Sequence, residues 1–261
     1  MLRIRRVPDD LTPTNAAAVA QAQAILRQQF PLARESEFTS IPDQLRDPFK
    51  KRLQTLLFVA EDAEDRVKGL ALLMHAPDLH FVYLDYLAAH PGRAGSGIGA
   101  ALYERVRETA AELDAIGVFL ECLPDDPALC RDPDVLKQNA DRLRFYERFG
   151  ARPIIGTTYE MPIEPGADNP PYLVFDGLGH ETPLRRREAQ AIVRALLDRK
   201  YRELCPPGYI EMVVASFTDD PVQLRPLRYL RGEPKAKVEP LRRTGEQIPL
   251  VINDRHDIHH V

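Results

Sequence analysis

The stretch from Ala88 to Ala101, A-A-H-P-G-R-A-G-S-G-I-G-A-A, limits the folds open to this chain more than any other. An apolar run, Phe81 to Ala89, stops at Pro91, and glycines follow at 92, 95, 97 and 99. Beyond them Ile98, Leu102, Val106, Ala110 and Leu113 recur at spacings of four and three, the mark of an amphipathic helix. A strand, a tight glycine loop and a helix are therefore predicted in immediate succession. Backbone N–H groups at a helix N-terminus bind phosphate, and glycine lets the phosphate come close. The competing reading is a glycine turn with no ligand, because short glycine motifs are individually weak signals. No Lys-Ser or Lys-Thr pair follows the glycines, which sets aside the nucleoside-triphosphate loop. Three apolar runs lead up to the loop, Leu56 to Ala60, Val67 to His75 and Phe81 to Ala89. They are separated only by charged or Pro-Asp turns and read as an antiparallel meander, so the parallel unit of a dinucleotide fold is set aside as well.

Around this centre the other elements are predicted from periodicity and punctuation. Leu2 to Val7 alternates apolar and basic residues, as a short edge strand does. Thr14 and Asn15 can cap an alanine-rich helix that runs to about Phe30, with Pro31 as its stop. A polar loop and a short helical piece from about Pro42 to Arg52 follow. Val118 to Cys122 reads as a buried strand, and Val135 to Phe149 as a helix stopped by Gly150. Arg152 to Met161 and Tyr172 to Phe175 read as a last strand pair. Thr182 and Pro183 start a helix reaching about Leu204, and Tyr209 to Ala215 reads as a strand before proline-punctuated segments. The expected class is a mixed α/β (α+β) fold, a mostly antiparallel sheet flanked by helices. The expected division is a domain over residues 1–177 and a C-terminal extension or linker over 178–261.

Composition narrows the setting. No apolar stretch approaches the roughly 18 residues of a membrane span, and the charged N-terminus has no apolar signal core. Three cysteines without paired spacing argue against a disulfide framework or a four-cysteine zinc site. A cytoplasmic protein is expected. The net charge of −4 is too mild to point to nucleic acid or an anionic membrane as partner. The strand edge at Tyr172 to Phe175 makes a homodimer a reasonable expectation.

A second stretch, Asn139 to Gly150, reads N-A-D-R-L-R-F-Y-E-R-F-G. Together with Ala88 to Leu113, and with the order of elements from Leu2 to about Gly177, it resembles the GNAT superfamily of N-acetyltransferases. The resemblance implies acetyl-CoA as acyl donor and an amine as acceptor, either a small molecule or a protein lysine. It implies a pyrophosphate site on Ala94, Gly95, Ser96, Gly97, Ile98 and Gly99. Leu87, Ala88 and Ala89 would line the pantetheine arm, with the N–H of Leu87 or Ala88 as oxyanion donor, and Asn139 would belong to the same cofactor site. Tyr146 stands where many members place the general acid for the leaving thiol; a half-buried packing tyrosine is the other reading. Asp85 and Glu121 are the candidate bases, because a carboxylate in mid-strand is expensive unless paired or solvated. A salt bridge to arginine, or an ordered water as base, would leave either carboxylate without a catalytic part. Two departures bear on the donor site. Ala94 stands where the family usually has Arg or Gln, with Arg93 one residue early, and Arg142 replaces a small apolar residue. These departures support the alternative of a non-catalytic acyl-CoA sensor or interaction module.

Two other features carry less. Cys122 with His90 could form a nucleophile pair, but Cys122 alternates with apolar residues and reads as an inert core thiol. His256, His259 and His260 with Asp254 and Asp257 could ligate metal, yet a terminal segment rarely does so, and no metal is expected. Pro249 to Val261 faintly resembles the opening of a histone-deacetylase-like domain in bacterial acetyltransferase–deacetylase fusions.

Overall fold

The computed structural model describes residues 2–47, 49, 52–92, 97–160 and 170–230. The fold is mixed α/β, with a seven-stranded sheet in the order β1-β2-β3-β4-β5-β7-β6 and helices packed on it. The chain divides into two compact units, one holding residues up to Ala76 with Tyr83–Glu112, the other Pro77–Val82 and the residues from Leu113.

In the first unit β1 (Arg3–Val7) pairs antiparallel with β2 (Gln54–Glu61), and β2 with β3 (Val67–Ala76). β4 (Phe81–Ala89) begins with two residues of the second unit and continues in the first. β2 and β3 are buried along almost their whole length because helices cover both of their faces. On one face Leu57, Val59, Leu70, Leu72, Tyr86 and Ala88 meet Ala18, Val19, Ala22, Ile25 and Leu26 of α1 (Pro13–Gln29). Phe38 of α2 (Glu35–Thr39) and Ile41 and Leu45 of α3 (Ile41–Arg46) close that layer. On the other face lies α4 (Ile98–Glu112), whose first turn rests on Gly69: a Cβ there would sit 2.7 Å from Ile98 Cγ2 and 2.9 Å from the Ala88 carbonyl. The glycine is what lets α4 approach β3 so closely.

In the second unit β5 (Val118–Cys122) and β6 (Arg152–Pro153) each pair antiparallel with β7 (Tyr172–Asp176). Phe81, Phe119 and Phe175 form an aromatic row with centroid separations of 5.8 and 5.0 Å. α5 (Pro133–Glu147) is capped by Asp132, whose carboxylate accepts from the N–H groups of Asp134 and Val135. α6 (Arg186–Arg199) buries Ala189, Ile192, Val193, Leu196 and Leu197, and packs with α7 (Tyr209–Ala215). The following segment returns alongside β6: Ile155 donates to the Gln223 carbonyl and Arg225 to the Pro153 carbonyl.

Several local expectations change. Tyr209 to Ala215 is a helix, not a strand; Ile210, Val213, Val214 and Phe217 recur at spacings of three, one and three, which suits a helix, and Val213, Val214 and Phe217 are buried. Arg152 to Met161 does not run as one strand. Gly156, at φ +75°, breaks it, and Thr158–Glu160 is a turn of 3-10 helix. α1 is capped by Thr12 with Pro13 at its first position, two residues earlier than expected. α6 starts at Arg186, where the Glu188 carboxylate accepts the Arg185 N–H, and it ends five residues short of Leu204. Within the loop expected after Pro31 lies the one-turn helix α2, which buries Phe38.

Candidate active site

β4 and α4 carry the residues assigned to the donor. Side chains alternate along β4, so Tyr86 and Ala88 join the α1–α3 layer, while Tyr83, Asp85 and Leu87 point to the opposite face. Asp85 is half-buried, and Leu87 and Ala88 are buried. The end of the strand is tethered: Gln29 Nε2 donates to the Ala89 carbonyl at 2.8 Å, and the His90 N–H donates to the Lys68 carbonyl at 2.8 Å. Tyr86 is wedged between Phe30 and Phe38 at 4.9 and 5.8 Å, and its hydroxyl donates to Glu37 at 2.5 Å. Ala94, Gly95 and Ser96 lie outside the described residues. Gly97 takes a φ of +76°, and the Ala101 N–H donates to its carbonyl at 3.0 Å as α4 begins. Ile98 is buried on Gly69, whereas a Cβ built on Gly99 would meet none of the described residues within 4 Å. Among the described residues the first turn of α4 is thus anchored on Gly69 and clear above Gly99.

The second unit holds the other candidates. Tyr146 is buried on α5, its ring 5.0 Å from that of Phe145. Burial first, and the nearby Cys122 second, push its phenol well above the ordinary tyrosine range, with Arg142 opposing them. Cys122 is buried, and burial pushes its thiol up to about 12, as expected of a core thiol and far from a nucleophilic thiolate. Asn139 is buried, and its side-chain amide donates to the Pro124 carbonyl at 2.8 Å, so it ties α5 to the loop after β5.

Glu121 lies opposite Leu173 in the β5–β7 ladder, and its carboxylate is held by two tyrosines. Tyr159 donates to one oxygen, and Tyr201 donates to the other at 3.0 Å. Sequence reasoning did not connect these rings to Glu121, since they lie 38 and 80 positions further along the chain. Two further carboxylates were also missed. Glu147 is buried beside Tyr146 and accepts the backbone N–H groups of Arg228, Tyr229 and Leu230 at 2.7–3.1 Å. Asp125, its side chain fully enclosed, accepts from Arg225 at 2.7 Å and from Tyr229, with Arg228 at 3.3 Å. The only local hint was position: Asp125 follows a predicted core strand, and Glu147 lies within a predicted helix.

Among the described residues no group of three or more His, Cys, Asp or Glu is placed to hold a metal ion, and the C-terminal histidines lie outside them. No helix among them is long and apolar enough to cross a membrane.

Comparison with known proteins supplies the family. The chain is similar to the catalytic domain of the Tetrahymena GCN5 histone acetyltransferase in complex with coenzyme A: 11% identity over 70% of this chain and 96% of that one, TM-score 0.48. It is also similar to the aminoglycoside 6'-N-acetyltransferase of Enterococcus faecium, at 19% identity over 66% and 94%, TM-score 0.46. A third similar structure is an IAA acetyltransferase from Bacillus cereus, at 17% identity over 67% and 97%, TM-score 0.43. No curated protein matches the sequence. The profile of the acetyltransferase (GNAT) family matches residues 20–151, just over half of the 261 residues, from within α1 to the residue before β6. The chain belongs to the GNAT acetyltransferase family.

Proposed function

We propose that the protein transfers an acetyl group from acetyl-CoA to an amine in the cytoplasm. The observation that carries this reading is the start of α4. It is anchored by Ile98 on Gly69, clear of the described residues above Gly99, and lies inside the span that matches the acetyltransferase family. N–H groups of that first turn would hold the donor's pyrophosphate, and glycine leaves room for it.

Acetyl-CoA supplies an activated acyl group as a thioester. The chain's part is to deprotonate the acceptor, hold the oxyanion and return a proton to sulfur. The amine nitrogen forms a bond to the carbonyl carbon, the C–S bond breaks, and one proton is released overall from the ammonium. The N–H of Leu87 or Ala88 is the candidate donor to the oxyanion. Asp85 and Glu121 are the candidate bases for the ammonium proton. Tyr146 supplies the proton to the thiolate; burial keeps its phenol protonated at neutral pH, so the proton is in place when the sulfur leaves.

A thermal-shift measurement with acetyl-CoA, CoA and ATP tests the donor assignment. At about 100 times its dissociation constant a ligand of the folded state stabilises by roughly 2.7 kcal/mol. Stabilisation by both CoA compounds and not by ATP is expected. No response to acetyl-CoA overturns the proposal; binding without turnover of any amine would favour an acyl-CoA sensor.

A further inference from the structure

The last residues of β4 are held from two sides by elements of the first unit. Both polar groups of the Ala89–His90 peptide are engaged: its carbonyl accepts from Gln29 Nε2 and its N–H donates to the Lys68 carbonyl of β3, each at 2.8 Å. The Lys68 bond is the kind a neighbouring strand supplies. The Gln29 bond is of another kind, because it brings a side chain from the last residue of α1 to a backbone group 60 positions further on. Three residues before Ala89, the ring of Tyr86 stands edge-on to Phe30 and Phe38, with centroids 4.9 and 5.8 Å away. Its hydroxyl donates to Glu37 of α2 at 2.5 Å. Arg27 closes the turn that brings α2 there, donating from Nε and Nη2 to the Glu35 carboxylate at 2.6–3.1 Å. The junction of α1 and α2 therefore grips β4 twice, at Tyr86 and at Ala89. Leu87 and Ala88 lie between the two grips, and a Cβ added to Gly69 would come within 2.9 Å of the Ala88 carbonyl.

We propose that Gln29 and Glu37 are positioning residues for acetyl transfer. Through the Ala89 carbonyl and the Tyr86 hydroxyl they fix the direction of the Leu87 and Ala88 N–H groups, one of which is the candidate oxyanion donor. The inference rests on the acetyl-transfer reading above and goes beyond it, since it gives the α1–α2 junction a part in the chemical step without contact with either substrate. A donor to an oxyanion is effective when it is aimed in advance at the place where charge develops, and a misplacement of about 1 Å can cost about 100-fold in rate. The direction of each N–H is set by the rotation of its planar peptide. Tying a side chain and a carbonyl three residues apart leaves the peptides between them little freedom. Were the same bonds to serve the fold alone, their loss would lower the melting temperature and leave each folded molecule as active as before.

The test uses the full chain and three substitutions that keep side-chain size. Gln29→Met and Gln29→Glu both lack an N–H donor, and Tyr86→Phe loses the bond to Glu37 but keeps the ring. Hydrogen–deuterium exchange is the first readout and needs no acceptor. Amides from Leu87 to His90 should exchange about five-fold faster or more in each variant, with α1 and the middle of α4 at the wild-type rate. Turnover is the second, read as CoA-thiol release with acetyl-CoA and the best acceptor among cadaverine, Nα-acetyl-lysine methylamide and aniline. The expected fall in kcat is about ten-fold for Gln29→Met and Tyr86→Phe, and larger for Gln29→Glu, whose carboxylate would face the Ala89 carbonyl. KM for acetyl-CoA should stay within about two-fold of the wild type, because binding of the donor is not what these residues serve. If Gln29→Glu does not fold, the other two variants decide by the same readouts. Wild-type kcat in Gln29→Met and Tyr86→Phe overturns the proposal, as does exchange that speeds up evenly over the first unit or not at all. A wild type that binds acetyl-CoA and acetylates none of the three amines overturns it as well. A wild type with no thermal response to acetyl-CoA refutes the transfer reading itself, a separate result that removes the catalytic part of Gln29 and Glu37 with it.

Discussion

Asp125 is an ionised carboxylate with no exposed side-chain surface, set between Arg225 and Arg228, with the Tyr229 hydroxyl on one oxygen. Burial by itself would raise its pKa. The hydrogen bonds from Arg225 and Tyr229 and the charges of both arginines outweigh burial and hold the group below the usual carboxylate range. A folded-state pKa below the unfolded value, about 3.9 for aspartate, stabilises the fold at pH values above it. That stability is lost as pH falls through the folded pKa, so Asp125 contributes to acid unfolding below the unfolded value. Asp125→Asn would leave two arginines facing a neutral amide, which by analogy with broken buried pairs costs about 3–5 kcal/mol. Chemical denaturation at pH 7 and at about pH 3 checks both statements: the deficit should be large at pH 7 and smaller once the pH lies below the unfolded value of about 3.9. An equal deficit at the two pH values would refute the electrostatic account. Tyr146 makes the companion case for catalysis. Tyr146→Phe should lower kcat about 100-fold or more, the usual scale of general-acid loss, with acetyl-CoA binding unchanged. None of the partners of Asp125 was legible in the sequence, because Arg225 lies 100 residues away and no local pattern records such a pairing. Tyr146, by contrast, could be singled out because it sits in a short motif of recognisable spacing.

At the scale of elements, periodicity and glycine placement were informative and the partners of each element were not. β2, β3, β4, α4, β5 and α5 stand within a few residues of where apolar runs and helical spacing put them. The elements misread were short or depended on distant chain. β6 is only two residues long: Ile154 after it still donates to the Leu173 carbonyl of β7 and bridges to Leu224, and Gly156 ends the extended run. α7 was taken for a strand because seven apolar-rich residues suit either period until the burial of Val213, Val214 and Phe217 is known. Gly69 shows what a single small residue does for a neighbouring element. In sequence it is an unremarkable glycine in a strand; in the fold it is the floor under Ile98 and Leu102. Gly69→Val should push the first turn of α4 off β3. The expected cost is about 1–3 kcal/mol, the usual range for overpacking a close contact. Because Ala88 shares that contact, acetyl-CoA affinity should fall along with the melting temperature. Full stability in Gly69→Val would show that the helix start yields without cost, contrary to this packing account.

At the scale of the whole chain, the expectation of a separable domain over residues 1–177 meets a second unit that draws on both sides of that boundary. α6 and α7 bury Ile192, Val193, Leu196, Leu197, Val213 and Val214 within it, and Phe217 and Val222 follow. Three acidic groups that lie before residue 177 have their partners after it. Glu121 is held by Tyr201, Asp125 by Arg225, Arg228 and Tyr229, and Glu147 by the N–H groups of residues 228–230. A chain ending at Gly177 would strip the last two buried carboxylates of these donors, at about 1–3 kcal/mol or more for each. It would also expose apolar side chains worth about 1.5–3 kcal/mol apiece. Against a total stability of 5–15 kcal/mol for an ordinary domain, losses of that size leave no margin. The 1–177 chain is therefore expected to lack a cooperative melt and, with it, acetyl transfer, while the full chain shows both. A 1–177 chain that melts as sharply as the whole protein would make residues 178–230 an appendage.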